Sequence, residues 1–195
     1  MRIAIYSGSF NPIHNGHLAI AEAALKEDYD EVWLVVSPQN PHKKREELWP
    51  FEDRLKMVEL AVQYQPKIRV DDCENHLPIP SYTIRTLEFL QKKWPKHQFS
   101  LLIGGDNLQK FQLWKEYQRI IELFGLVVYP RYTTSANPFE NHPNVRAINA
   151  PLLDISSSEI RKRISEGLSV TGLVPTEVEK FIRQKLKTAT PKSDF

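Results

Sequence analysis

The stretch Ile3-Ala4-Ile5-Tyr6-Ser7-Gly8-Ser9-Phe10-Asn11-Pro12-Ile13-His14-Asn15-Gly16-His17-Leu18 decides how this chain is read. Its first four residues are a short apolar run that ends at small residues, and Leu18, Ala21 and Leu25 then recur at helical spacing. A strand therefore feeds through a turn into a helix. A turn of small residues at that place lets backbone N–H groups approach an anion, and the helix N-terminus adds a favourable dipole. The turn is a phosphate-binding geometry, but neither a dinucleotide G-x-G-x-x-G nor a Walker loop, because Gly8 and Gly16 are eight apart and no lysine follows.

Working outward, apolar runs bounded by breakers recur at Val32 to Val36, Ile68 to Val70, Phe99 to Ile103 and Leu126 to Tyr129, with a weaker one at Val145 to Ile148. Between them lie helical periods: Phe51, Leu55, Val58 and Val62, then Ile84, Leu87 and the residues to Trp94. This alternation predicts an α/β protein, a Rossmann-like doubly wound parallel sheet with helices on both faces and ligands at the carboxyl ends of its strands. After Ile148 only helical signals remain, at Ser156 to Gly167 and Thr176 to Lys187. Each opens on a capping-box pattern, Ser156 with Glu159 and Thr176 with Glu179, and Val178, Phe181, Ile182 and Leu186 give the second an apolar face. The expected organisation is one domain over residues 1–187, with a Rossmann-like core at 1–150, a small helical C-terminal subdomain at 151–187 and a flexible tail at 188–195. Tyr132 to Asn144 reads as a long loop.

With 195 residues, 41% hydrophobic and 26% charged, the chain can build a full core, which excludes disordered and fibrous classes. A net charge of +2 gives no reason to expect nucleic acid or an anionic membrane as a partner. The single Cys73 has nothing to pair with and is expected as a buried structural thiol in a reducing compartment; with no apolar run long enough to span a bilayer, the expected location is the cytoplasm.

His14 and His17, three apart at a helix start, fall on one face and point toward the loop, where two imidazoles become phosphate donors. A zinc site would need further ligands, and His42, His76, His97 and His142 stand at no recognisable spacing. Ser156, Ser157 and Ser158 put hydroxyls and N–H groups at a second helix N-terminus, with Arg161 a turn further on.

Gly8 to His17 resembles the G-x-F-x-P-x-H-x-G-H signature of the nucleotidylyltransferase superfamily, and Ile155-Ser156-Ser157-Ser158-Glu159-Ile160-Arg161 resembles its second signature, I-S-S-T-x-I-R. Pro41-His42-Lys43, Ser81 to Leu87, Gly104-Gly105-Asp106-Asn107-Leu108 followed by Trp114, Val128 to Arg131 and Leu173-Val174-Pro175 are similar to the bacterial nicotinate-mononucleotide adenylyltransferase family. The likeness runs from Ile3 to about Leu186. It implies adenylyl transfer from ATP to nicotinic acid mononucleotide with Mg²⁺, giving the deamido dinucleotide precursor of NAD and pyrophosphate. The same resemblance assigns catalysis to His14, His17, Lys43 and Arg161. It assigns ATP to Gly8, Ser9, Phe10, His14, His17, Gly104, Asp106, Ser156, Ser157, Ser158 and Arg161, and the mononucleotide to Lys43, Ser81, Tyr82, Thr83, Trp114 and Arg131. Asp106 would serve the nucleotide or its metal.

Two positions depart from the pattern, Asn11 where many relatives have Asp and Ser158 where many have Thr. Three alternatives stay open at this point: phosphopantetheine as acceptor, nicotinamide mononucleotide as acceptor, and a non-enzymatic nucleotide sensor on the same fold.

Overall fold

The computed structural model describes residues 1–38, 48–129, 139, 141–151 and 153–189. Strands β1 (Arg2–Gly8), β2 (Glu31–Val36), β3 (Ile68–Asp71), β4 (Gln98–Gly104), β5 (Leu126–Tyr129) and β6 (Val145–Ala147) form one sheet in the order β3-β2-β1-β4-β5-β6. Every neighbouring pair is parallel. Strand order reverses beside β1, where one crossover leads to β2 and another to β4, and a doubly wound sheet opens a ligand crevice at that switch. The helices are α1 (Asn15–Leu25), α2 (Phe51–Val62), α3 (Thr83–Lys93), α4 (Gly105–Leu108), α5 (Tyr117–Leu123), α6 (Ser157–Ser165) and α7 (Thr176–Ala189).

The two-residue period of β1 explains the layering, since alternate side chains leave opposite faces of a strand. Ala4 and Tyr6 join a core built with Ile20, Met57, Val58, Ile160, Val178 and Ile182, from α1, α2, α6 and α7. Ile3 and Ile5 join a second core with Ile84, Leu87, Leu108, Ile120 and Ile121, from α3, α4 and α5. Both faces of the sheet are thus covered, and the helices after residue 150 share the α1/α2 core. Ile160 is fully buried, so truncating it to Ala carries the usual cavity cost of about 2–5 kcal/mol.

The C-terminal elements differ in detail from the sequence expectation. Ser156 caps α6, its hydroxyl accepting from Glu159 N–H at 3.1 Å. That helix ends at Ser165, with Gly167 at φ +70° and Leu168 N–H returning to the Arg163 carbonyl at 2.8 Å, a Schellman closure. Thr176, by contrast, is the first residue of α7 and does not cap it, because Glu179 N–H bonds the Pro175 carbonyl at 3.0 Å. The Glu179 carboxylate instead takes the Thr171 hydroxyl at 2.8 Å and the Arg183 guanidinium. Leu186 is 47% exposed rather than part of the apolar face. α7 runs through Thr188 and Ala189, two residues into the expected tail, and residues 190–195 lie outside those described. Most of the expected loop from Tyr132 also lies outside them. α5, which the apolar periods did not mark, is an added element.

The Thr171 hydroxyl and Arg183 hold the Glu179 carboxyl below its ordinary range. A carboxyl depressed in the folded state stabilises above its unfolded pKa of about 4.3, and that contribution disappears as pH falls through the folded value. We therefore expect the loss of thermal stability between about pH 5 and pH 3 to be shallower in Glu179→Gln than in the native protein, measured by thermal melts across that range.

Candidate active site

The phosphate loop sits at the carboxyl end of β1, and its geometry rests on three side chains. Phe10 adopts φ 43°, the left-handed region that a bulky residue enters only when its surroundings impose it. Its ring is 2% exposed and lies beneath the loop, so a Cβ on Gly8 would meet it at 3.2 Å. Phe10 can therefore offer a nucleotide only its backbone. Asn11 braces the loop from within, its side-chain oxygen accepting from Trp49 N–H at 3.0 Å.

Arg54, from α2, is the third. It is 1% exposed, and its guanidinium donates to the carbonyls of Ser9 at 2.6 Å, Ser37 at 2.8 Å, Pro38 at 3.1 Å and Trp49 at 3.0 Å. Burial pushes its pKa down to about 10, still well above neutrality, so a full positive charge sits under the loop. Sequence reasoning missed this residue. The available signal was a charge on the apolar stripe that also carries Met57 and Val58, where a solvated arginine has no place.

His14 is the N-cap position of α1 and His17 is three residues on. Their rings stack with centroids 3.7 Å apart, and His14 N–H donates to His17 Nδ1 at 3.2 Å. A neutral imidazole accepting at Nδ1 carries its hydrogen on Nε2, so the backbone fixes which nitrogen of His17 can donate to a ligand. Gly16 makes room for the stack, since a Cβ there would lie 3.0 Å from His14 Nδ1.

The second motif meets the first directly. Ser157 Oγ donates to the Pro12 carbonyl at 3.0 Å and Arg161 to the Asn11 carbonyl at 2.9 Å. Of the three serines, Ser156 is a cap, Ser157 a tie to the loop, and Ser158 an exposed hydroxyl at the N-terminus of α6. The two signatures, some 140 residues apart in the chain, thus form one surface.

Beside it a cavity of about 500 Å³ opens at the strand-order switch, lined by Tyr6, Ser7 and Gly8 of β1, Leu101 to Ile103 of β4, and Ser37, Glu74, Ser81, Tyr82, Thr83, Asn107, Leu113, Trp114 and Lys115. Tyr6 joins the two regions, with its ring 6.0 Å from that of His17. Tyr82 and Thr83 stand at the N-terminus of α3, as the sequence predicts, and Ser81 Oγ is buried with no hydrogen-bond partner among the described residues. Trp114 follows a 3₁₀ turn, Phe111–Leu113, and its ring centre lies 5.1 Å from that of Phe111. Gly104 ends β4; a Cβ there would meet Asp106 Oδ1 at 2.5 Å and the Tyr129 ring at 2.8 Å, so only glycine lets that carboxylate fold back against the strand end. Lys43, His42 and Arg131 lie outside the described residues.

Lys115 and Glu74 are cavity residues that the motifs did not mark. Lys115 Nζ lies 4.7 Å from the centre of the Tyr82 ring, and Arg85 5.1 Å from it, so the aromatic wall carries positive charge. Among the described residues no group of three His, Cys, Asp or Glu side chains could hold a metal by itself, and no helix is long and apolar enough to cross a membrane.

A strand-to-helix phosphate loop joined to a second helix N-terminus, beside a crevice large enough for a nucleotide, defines a nucleotide-transferring class. Consistent with this, the cytidylyltransferase-like family model matches residues 5–163, which take in both signatures. A Cytophaga hutchinsonii protein named "probable nicotinate-nucleotide adenylyltransferase" is 47% identical, over 93% of this chain and 95% of that protein. A Bacteroides fragilis protein of the same name is 43% identical over 94% and 92%. The chain belongs to the nicotinate-nucleotide adenylyltransferase family. Its fold superposes on that of Plasmodium falciparum nicotinic acid mononucleotide adenylyltransferase complexed with NaAD, at a TM-score of 0.80 and 22% identity, covering 94% of this chain and 95% of that one. The same enzyme complexed with APC gives 0.79.

Two outcomes follow from this packing. Replacing Arg54 with Met strands four backbone carbonyls, two of them fully buried, so urea denaturation is expected to show a loss of about 3 kcal/mol or more. Burial, with Asp71 and Glu74 adding negative charge nearby, pushes the Cys73 thiol far up. Iodoacetamide at pH 8 should therefore modify Cys73 only after the protein is unfolded, as read by intact mass.

Proposed function

We infer that this chain joins ATP and nicotinic acid mononucleotide into nicotinic acid adenine dinucleotide, releasing pyrophosphate. The observation that carries the reading is the union of the two signatures, through Ser157 and Arg161, beside a cavity walled by Tyr82, Thr83 and Trp114. Triphosphate and pyridine ring then lie on either side of β1, with the acceptor phosphate between them.

The acceptor phosphate oxygen attacks the α-phosphorus of ATP in line, and the bond to the β-phosphate oxygen breaks as pyrophosphate leaves with the electron pair. The attacking group is already an anion, so the protein supplies alignment and charge neutralisation rather than a strong base. His17 Nε2–H, oriented by the His14 amide, donates to the phosphates, as do the amides of the α6 N-terminus and Arg161; His14 supports the stack from below. Lys43 joins them as a further phosphate cation. The amides of Gly8, Ser9 and Phe10 line the loop, with Ser156, Ser157 and Ser158 opposite. On the pyridine side, Thr83 and Tyr82 offer helix N-terminal donors to the nicotinate carboxylate, Ser81 its buried hydroxyl, Trp114 a flat face for the ring, and Lys115 a positive charge at the mouth. Arg131 serves the same substrate.

Asp106, in α4 just after Gly104 at the end of β4, would give one hard oxygen ligand to a Mg²⁺ ion held mostly by substrate phosphates and water. When bound, that ion neutralises charge on the departing pyrophosphate. The chain is read as one unit over residues 1–187 acting on small molecules, with no nucleic acid or membrane partner, in the cytoplasm.

Pyrophosphate release from Mg-ATP with nicotinic acid mononucleotide, nicotinamide mononucleotide or phosphopantetheine tests the reading. Strong preference for the first is expected; release only with another acceptor, or with none by folded protein, overturns it. His17→Ala is expected to lower kcat by about 10²- to 10³-fold with the fold intact. Trp114→Ala should raise the acceptor KM about tenfold or more, for loss of ring stacking, with the ATP KM little changed.

A further inference from the structure

Glu74 is a buried acidic residue on the cavity wall that the mechanism above leaves unused. It lies in the 3₁₀ turn Cys73–His76 after β3, is 2% exposed, and forms part of the cavity wall. One of its oxygens, Oε1, accepts two hydroxyls, Ser7 Oγ at 2.9 Å and Thr86 Oγ1 at 3.1 Å. Among the described residues no basic side chain pairs with it. A carboxylate held out of water without a cation is costly, and an apolar residue would fill the same space at less expense, so its two directional bonds call for an explanation.

The partners supply one. Ser7 immediately precedes Gly8, where β1 enters the phosphate loop, and Thr86 is one turn into α3, beneath the Tyr82–Thr83 terminus that faces the pyridine ring. β3 does not touch β1; Glu74 reaches Ser7 past the end of β2, where Ser37 N–H already bonds the Gly8 carbonyl at 2.9 Å. A single oxygen therefore joins the strand that positions ATP to the helix that positions the acceptor. We propose that Glu74 is a positioning residue which fixes the distance between the two substrates through Ser7 and Thr86. The proposal rests on the adenylyl-transfer reading and assigns that site its alignment device, because an in-line attack loses rate steeply when the reacting groups shift by a fraction of an ångström.

The test is a double-mutant cycle in which Ser7→Ala and Thr86→Val each remove one arm, alone and together. Steady-state kinetics with Mg-ATP and nicotinic acid mononucleotide are run well below each variant's measured melting temperature. Each single variant should lose about tenfold in kcat with the ATP KM changed by less than about twofold. The double variant should lose no more than the worse single, since a tie cut once is already cut. Glu74→Gln, which keeps an acceptor oxygen, should retain most of the kcat that Glu74→Met loses. Losses that add, variants that lower only the melting temperature, or a Gln variant as impaired as the Met variant would each overturn the proposal. If the unmutated protein does not turn over nicotinic acid mononucleotide, the functional reading itself fails.

Discussion

Everything at the carboxyl end of the sheet depends on one buried guanidinium. Among the described residues Arg54 pairs with no carboxylate; it spreads its charge over four backbone carbonyls, three of them in the segments that leave β1 and β2. Carbonyls that converge in this way without a donor would leave their partial negative charges packed against one another. A cation sealed beneath them neutralises that charge and holds the loop in the conformation that Phe10 alone could not sustain at positive φ. The loop thus arrives at its ligand already paid for in strain, which is the condition for electrostatic preorganisation.

The sheet converts this local device into a two-substrate site. Because the crossover from β1 leads to β2 on one side and the crossover from β3 returns to β4 on the other, the ends of β1 and β4 open a crevice. α1 and α6 bring their N-termini to the loop, and α3 brings its own to the cavity. Helix N-termini, whose dipoles favour anions, thus stand at both halves of the site, two at the loop and one at the cavity.

Much of this was legible in the chain itself. The alternation of apolar strands with helical periods gave the architecture because parallel strands buried on both faces are nearly continuous apolar runs, and those survive inspection without any tertiary knowledge. His14, His17, Ser156 to Ser158 and Arg161 were legible because their motifs are local. Arg54 and Glu74 were not, because their roles are defined by partners up to 67 residues away that no spacing rule connects. The capping reading of Thr176 and Glu179 failed for a related reason: a distant hydroxyl, Thr171, and a neighbour on the same helix, Arg183, compete for the carboxylate that a local rule assigns to the cap. α5 was missed because its seven residues hold only two buried apolar positions, too few to establish a period.

The bonds from Ser157 to Pro12 and from Arg161 to Asn11 also have a meaning in time. During synthesis the N-terminal loop leaves the ribosome long before the helix that completes it, and the sheet can be fully strung while α6 is still inside the exit tunnel. Nascent or truncated chains then hold the loop without its clasp. The surface that both signatures share therefore exists only in chains that extend through Arg161, so the order of synthesis is also the order in which the site is assembled.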